Sequence, residues 1–252
     1  MNMQENLVSI ITPCHNASKF VAETIESVLA QTYSEWEMLI TDDCSTDNSV
    51  EIIEKYLKKD SRIRLIKSTQ KLGAAAARNL AIKNASGRYI AFLDSDDVWE
   101  KNKLECQLKF MREKNVAFSF SDYYIMEENG TRTEKVIKVP EDIDYNHYLS
   151  NTIIGCLTVV IDRKLTGSFE MPLIKSSHDM ALWLLIMRRG FKAYGLQKCL
   201  AGYRIVSTSN TSKKWKAAKD VWIVYREFEK LSLCRSLWCF GGYAFNAVRK
   251  RL

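Results

Sequence analysis

The sequence predicts an α/β fold, a mostly parallel sheet flanked by helices and followed by a helical extension. Three observations carry this. Short apolar runs of strand length alternate with segments of helical spacing through the first half of the chain. Polar and acidic residues follow three of those runs directly, where an open parallel sheet places its ligand-binding edge. Charge is concentrated at the other end: residues 213–252 hold ten Lys or Arg against three Asp or Glu, the whole of the net charge of +7.

The strand-type runs are residues 8–12, 38–41, 63–66, 89–93 and 117–121. Between them, Phe20, Ile25, Val28 and Leu29 recur at helical spacing, as do Val50, Ile53 and Leu57. Residues 72–85 are rich in Ala, and residues 101–114 carry Leu104, Leu108 and Met111. Right-handed crossovers through such helices bring the strand C-termini to one edge. The second half is less regular. Residues 123–138 read as a hairpin turning at Asn129-Gly130, residues 144–150 as a short helix and 157–161 as a strand. Residues 178–189 form an amphipathic helix stopped by Gly190, and the polar stretch 203–214 is expected to be a loop. Residues 215–231 and 233–250 read as two helices, the second weakened by Gly241-Gly242. The expected organisation is one domain over 1–212, with halves 1–122 and 123–212, and a basic, aromatic helical tail over 213–252.

Composition narrows the class. The chain has 252 residues, 46% hydrophobic and 27% charged, enough for a sizeable core. Gly and Pro number 10 and 3, which excludes collagen-like and loop-dominated folds. Residues 1–6 are polar and the apolar run 7–11 is too short for a signal peptide, while no run of 18 apolar residues marks a membrane span. The seven cysteines are odd in number and contain no C-x-x-C, so neither a zinc site nor a disulfide framework is expected. A cytoplasmic location follows.

Four clusters carry candidate chemistry. Asp94-Ser95-Asp96-Asp97 puts three carboxylates after a buried run; they repel one another unless a cation neutralises them, and hard oxygen ligands suit Mg²⁺ or Mn²⁺. The same residues can also cap the next helix. Asp42-Asp43, with Ser45, Asp47 and Asn48 after them, are turn and N-cap residues that can equally accept from a base or ribose. In residues 73–79, GAAAARN, small side chains let a helix approach a sheet, but they leave Arg78 and Asn79 unexplained; Arg78 offers a planar fork for phosphate or a base edge. His178-Asp179 opens a helix, either as a dipole-favoured acid or as a general base at a pocket edge.

Together these residues resemble family 2 glycosyltransferases with the GT-A fold. The matches fall in the family's order: Pro13-x-x-Asn16, Asp42-Asp43-x-Ser45-x-Asp47, residues 73–79, Leu93-Asp94-Ser95-Asp96-Asp97, then His178-Asp179 with Trp183. The end of the chain, with Tyr203-Arg204 and residues 209–213, is similar to the subgroup handling teichuronic acid, capsule and lipopolysaccharide sugars. The resemblance makes 1–122 the nucleotide-binding half and 123–212 the acceptor-binding half. It implies that Pro13 and Asn16 shape the loop under the nucleotide, that Asp43 reads uracil with Asp42 behind it, and that Arg78 lies near the base or diphosphate. Asp94, Ser95 and Asp96 would meet ribose and metal, with Asp97 extending the metal set, and Asp179 would be the catalytic base. His178, Trp183 and Thr158 would face the acceptor. Many members carry a His two residues after the Tyr-Arg pair; Val206 stands there, so Arg204, Lys213 or Lys214 is expected to hold the diphosphate instead.

The implied activity is inverting, metal-dependent transfer from a UDP-sugar to a hydroxyl of a lipid-linked bacterial surface polysaccharide precursor. Rivals are a catalytically inactive nucleotide-sugar or polysaccharide-binding module and a nucleotidyltransferase. The latter usually carries a Gly-rich basic loop after its first strand, where Pro13-Cys14-His15-Asn16 stands. No G-x-G-x-x-G marks a Rossmann oxidoreductase. No nucleic-acid partner is expected. The basic tail suggests an anionic surface, peripherally the inner face of the cell membrane, or a stripe packed against the domain.

Overall fold

The structure is a computed structural model describing residues 3–174, 176–206 and 214–249. One ten-stranded mixed sheet organises it. β1 (Gln4–Cys14), β2 (Trp36–Asp42), β3 (Ile63–Lys67) and β4 (Gly87–Phe92) run parallel in the order β3-β2-β1-β4. The helices α1 (Val21–Leu29), α2 (Ser49–Leu57) and α3 (Ala74–Lys83) are the crossovers between them. Beyond β4 lie β9 (Val160–Asp162), antiparallel to its neighbours, then β6 (Phe118–Met126), β10 (Ala193–Arg204) and the two-residue β5 (Val98–Trp99). β7 (Arg132–Ile137) makes the expected hairpin with β6, and Gly130 supplies the positive φ of 90° its turn needs. β8 (Asp142–Ile143) pairs with β10.

Side-chain alternation sorts the strands onto two faces. Ile11, Leu39, Ile90 and Phe92 belong to one core cluster, whereas Ile10, Met38, Ile40, Tyr89, Ala91 and Leu93 belong to the other. All seven residues of β2 are buried, as expected for a strand covered on both faces. The second cluster is closed by α1, α2 and α4 (Lys103–Lys114) through Ile25, Ile53 and Leu108. The first is closed by α3, α5 (Tyr145–Ser150) and α7 (His178–Arg188). The short α6 (Arg163–Thr166) is capped by Asp162.

Three elements differ from the sequence reading. Residues 203 and 204 end β10 rather than belonging to a loop; of the stretch 203–214, residues 207–213 lie outside the described residues. Residues 156–158 form a 3₁₀ turn, so the strand expected at 157–161 starts only at Val160. The first tail helix divides into α8 (Lys214–Ile223) and a π-helical turn, Val224–Phe228, before α9 (Leu233–Arg249). The boundary drawn at 122/123 falls inside β6.

The tail packs against the sheet domain along one side. Val221, Val224, Tyr225 and Cys239 join the first core cluster. The Tyr225 hydroxyl donates to the Leu149 carbonyl, and Trp222 meets Phe240 edge-on with ring centroids 5.6 Å apart. The other side of α9 leaves Leu233, Leu237, Trp238 and Phe245 in solvent, Trp238 at 82% exposure. Among the described residues, no helix is long and apolar enough to cross a membrane.

Candidate functional site

The ends of β1 and β2 are stitched together. Asn16, with a left-handed φ of 50°, donates its backbone N–H to Ser45 Oγ at 3.0 Å, and its side-chain Oδ1 accepts from Thr46 N at 2.8 Å. Asp47 accepts from Ser18 N at 3.0 Å, and Asp42 accepts from Ser45 N at 3.2 Å through one oxygen while its other has no partner among the described residues. Pro13 sits in β1 opposite Thr41. The Asp43 carboxylate takes the amides of Leu72 (2.5 Å) and Gly73 (2.9 Å), so it holds the loop entering α3.

That loop walls a cavity of about 830 Å³, lined by Leu72–Ala76, Arg78, Asp94, Cys156, Leu173, Ile174 and Ser176–Asp179. Arg78 is its hub. It is nearly fully buried, pairs with Asp94 through one terminal nitrogen, and donates through the other to His178 Nε2 at 2.7 Å. A guanidinium only donates, so His178 Nε2 must accept and the ring proton belongs on Nδ1. Burial, then the Arg78 charge, lowers the His178 pKa and agrees with a neutral ring. The α3 N-terminus has no side-chain cap and no acid in its first turn, and its first residues line the cavity, where the helix dipole favours an anion. Asp179 lies in the first turn of α7, after Ser177 in a left-handed conformation with φ of 56°.

Asp94 and Asp96 are the candidate carboxylates for a hard divalent cation. Burial, then the charge of Asp94, pushes Asp96 up to about 6, the behaviour of a carboxylate whose negative surroundings are undercompensated. Such ions use one or two protein carboxylates beside substrate phosphates. Ser95, between them, is buried.

Several expected roles do not match the placement. Asp97 does not join a three-carboxylate cage: it is 2% exposed, and its Oδ1 accepts from Arg204 N at 2.9 Å. Burial, then Asp96 and Asp94, raise its pKa well above the usual range. Among the described residues, no three His, Cys, Asp or Glu side chains meet as a metal cluster. Arg204 is no diphosphate clamp. Its fork reaches the Asp96 carbonyl at 2.7 Å, the Glu128 carbonyl at 3.1 Å and the Glu23 carboxylate, and it stacks over Phe20. It thus ties β10, the 127–131 turn and α1 to the acidic loop. Trp183 is fully buried between Phe92 and Phe118, with centroids 5.4 and 5.3 Å away, so it serves the core rather than an acceptor. Thr158 is likewise buried and donates to the Gly155 carbonyl at 2.7 Å. Lys213 and the side chain of Lys214 lie outside the described residues.

Two further residues complete the wall. Asn79, left without a role in the sequence, makes paired hydrogen bonds to the Met171 backbone, donating at 2.8 Å and accepting at 2.6 Å, which fixes the segment bearing Leu173 and Ile174. Ser176 lines the cavity with a buried hydroxyl lacking a partner among the described residues.

Comparison with known proteins identifies the family and the fold. The Glycosyl transferase family 2 model matches residues 9–164. A Bacillus subtilis (strain 168) protein named as a teichuronic acid biosynthesis glycosyltransferase, TuaG, is 52% identical over 98% of both chains. The Escherichia coli UDP-Glc:alpha-D-GlcNAc-diphosphoundecaprenol beta-1,3-glucosyltransferase WfgD is 42% identical over 98% of this chain and 96% of its own. Among solved structures, S. aureus TarS 1-349 in complex with UDP-GlcNAc superposes with a TM-score of 0.69 at 19% identity, over 94% of this chain and 71% of that one. The mannosyltransferase PcManGT from Pyrobaculum calidifontis, solved with GDP-Man and Mn2+, gives 0.70 at 16% identity, over 96% and 74%. Those two likenesses speak to the fold, which is GT-A. Carrying the family's match across more than half its length and relatives aligned almost end to end, the chain belongs to glycosyl transferase family 2 and is a glycosyltransferase.

Proposed function

We propose that this protein transfers a sugar, with inversion, from a UDP-sugar to a hydroxyl of a lipid-linked cell-surface polysaccharide precursor. One observation carries the reading. The 830 Å³ cavity brings an anion-favouring helix N-terminus, the Arg78 fork and the Asp179 carboxylate to one wall, beside the acidic loop. The names of TuaG and WfgD supply the chemistry of donor and acceptor.

In this reading the α3 amides hold the diphosphate, while Asn16, Asp42 and Asp43 shape the nucleotide end. Arg78 keeps Asp94 oriented and His178 neutral. Asp94 and Asp96 would hold Mn²⁺ or Mg²⁺, which when bound supplies positive charge against the leaving diphosphate. Asp179 accepts the proton as the acceptor hydroxyl attacks C1; the C1–O bond breaks and its electron pair leaves on the β-phosphate. Among the described residues lining the cavity, Asp94 is the other carboxylate, and Arg78 already binds it. A single displacement by the acceptor needs no second nucleophilic carboxylate, and it inverts the anomeric centre.

The reading also places the enzyme peripherally at the inner face of the membrane. α9 carries no Asp or Glu, and one side of it exposes Leu233, Leu237, Trp238 and Phe245. Such a face, in a segment that holds the chain's net positive charge, suits anionic headgroups. The test of the reading is a donor screen with Mn²⁺ and a synthetic α-GlcNAc-diphosphate lipid, followed by NMR of the product's anomeric configuration. A UDP-sugar giving a product with inverted configuration is expected. A panel in which no nucleotide sugar is consumed or bound would refute it.

A further inference from the structure

We infer that a second cavity of about 240 Å³, on the other side of Asp179 from the large one, is the acceptor subsite, and that the C-terminal helices form its wall. The inference rests on the glycosyl-transfer reading and adds where the acceptor sits. Its first support is topological: Ser176, Ser177 and Asp179 line both cavities, so the proposed base stands at their junction. A general base must reach the attacking hydroxyl on one side while the donor carbon lies on the other. The second is the Ser176 hydroxyl, buried at that junction without a partner among the described residues. Buried polar atoms are normally satisfied, so an unpaired one on a residue that lines both cavities points to a ligand completing the bonding there.

The lining also selects the chemistry. Tyr243 provides aromatic surface, and Asp179 and Asp220 provide acceptors for hydroxyl groups. Among the described lining residues there is no Lys or Arg. Among the described lining residues a phosphate would therefore meet two carboxylates and no cation, whereas a neutral pyranose meets an aromatic ring and hydrogen-bond acceptors. The site takes the terminal sugar of the acceptor and excludes its diphosphate. Ala217, Asp220 and Val221 come from α8 and Tyr243 from α9, so the tail is part of the active site as well as a surface element.

The test uses the full chain, UDP-Glc as donor and decyl diphosphate-linked α-GlcNAc as acceptor probe. Ala217→Phe puts a ring into the cavity. It should raise the acceptor KM on the order of tenfold or more, leaving UDP affinity by calorimetry and melting temperature near wild type. Asp220→Asn, which adds no bulk, should raise the same KM by about three- to tenfold with kcat held, and serves if Ala217→Phe fails to fold. Ala217→Phe and Asp220→Asn proteins with unchanged acceptor KM overturn the inference while leaving glycosyl transfer standing. So does a wild-type protein that consumes a UDP-sugar but ignores this acceptor. A wild-type protein that neither binds nor consumes any UDP-sugar removes the underlying reading and this inference with it.

Discussion

Replacing Lys103 by Met should stabilise the protein at neutral pH and flatten its stability in the alkaline direction. Lys103 is wholly buried on α4; its ammonium donates to Gln107 Oε1 at 2.7 Å and stacks 4.3 Å above the Trp99 ring. Burial pushes its pKa from 10.5 down to about 7. The unfolded chain therefore binds this proton more tightly than the folded one between pH 7 and 10.5, and stability rises with pH across that window. At about 1.4 kcal/mol per pH unit, the cost to the fold is about 5 kcal/mol well below pH 7, about 4 at pH 7 and about 2 at pH 9. Met keeps the length and removes this cost, but it strips Gln107 Oε1 of its donor, which costs about 1–3 kcal/mol. The net gain is about 1–3 kcal/mol at pH 7 and about 2 kcal/mol less at pH 9. Urea denaturation of both proteins at the two pH values, with matching m-values, reads the difference directly. A gap between the two proteins that is the same at pH 7 and pH 9 would refute the buried-ammonium argument.

Four further outcomes are expected. Asp179→Asn keeps UDP affinity but lowers kcat by on the order of 10²–10⁴-fold, measured at saturating acceptor; near-normal turnover would leave Asp179 as a helix-terminal acid. Asp96→Asn weakens UDP binding in Mn²⁺ and not in chelator, and the Mn²⁺-dependent affinity of the wild type drops as pH falls through about 6, where the cation and a proton compete for the carboxylate. Arg204→Lys lowers unfolding free energy by about 2–3 kcal/mol because an ammonium cannot reproduce the fork to three partners; a selective loss of UDP affinity at unchanged stability would put Arg204 on the diphosphate after all. Trp238→Glu, on the exposed side of α9, abolishes sedimentation with phosphatidylglycerol vesicles at low salt while the melting temperature holds; wild-type protein that ignores such vesicles would reduce that side to plain surface.

The parallel half was legible because its signals are local and periodic. Adjacent residues such as Ile10 and Ile11 go to opposite cores, and β1, β2 and β4 are apolar enough to show it. β10 was not legible: Gly195, Gln197, Lys198 and Gly202 interrupt any alternation, and the strand is held by pairing with β6 and β8. Gly195 is required there because a Cβ would sit 1.9 Å from the Pro140 carbonyl oxygen, a contact no reading of spacing foresees. At the site, Arg78, Asp94, His178 and Asp179 could be marked as candidates because charge on an apolar element begs a reason, and the fold brings them to one wall. Trp183 was misjudged because α7 buries nearly every position from Met180 to Met187, so neighbourhood to Asp179 along the chain said nothing about which side the ring faces. Arg204 was misjudged because its partners, Glu23, Asp96 and Glu128, are far away in sequence.

The late return of β10 into the sheet bears on how this protein can be made. β10 lies between β6 and β5, and among the described residues it is the last strand in chain order. Residues 9–164, the span that marks the family, therefore end before the strand that covers one entire edge of β6. Expressed alone, that span would present an open row of backbone donors and acceptors, the template on which chains pair edge to edge. The same gap exists on the ribosome. Between Met126, the end of β6, and Arg204, the end of β10, lie 204 − 126 = 78 residues, which at about 5–20 residues per second leaves this edge of β6 open for about 4–16 s. Truncated libraries and split-protein designs should therefore keep the chain through Arg204, and growth temperature or chaperone supply should decide soluble yield more than codon choice near the start.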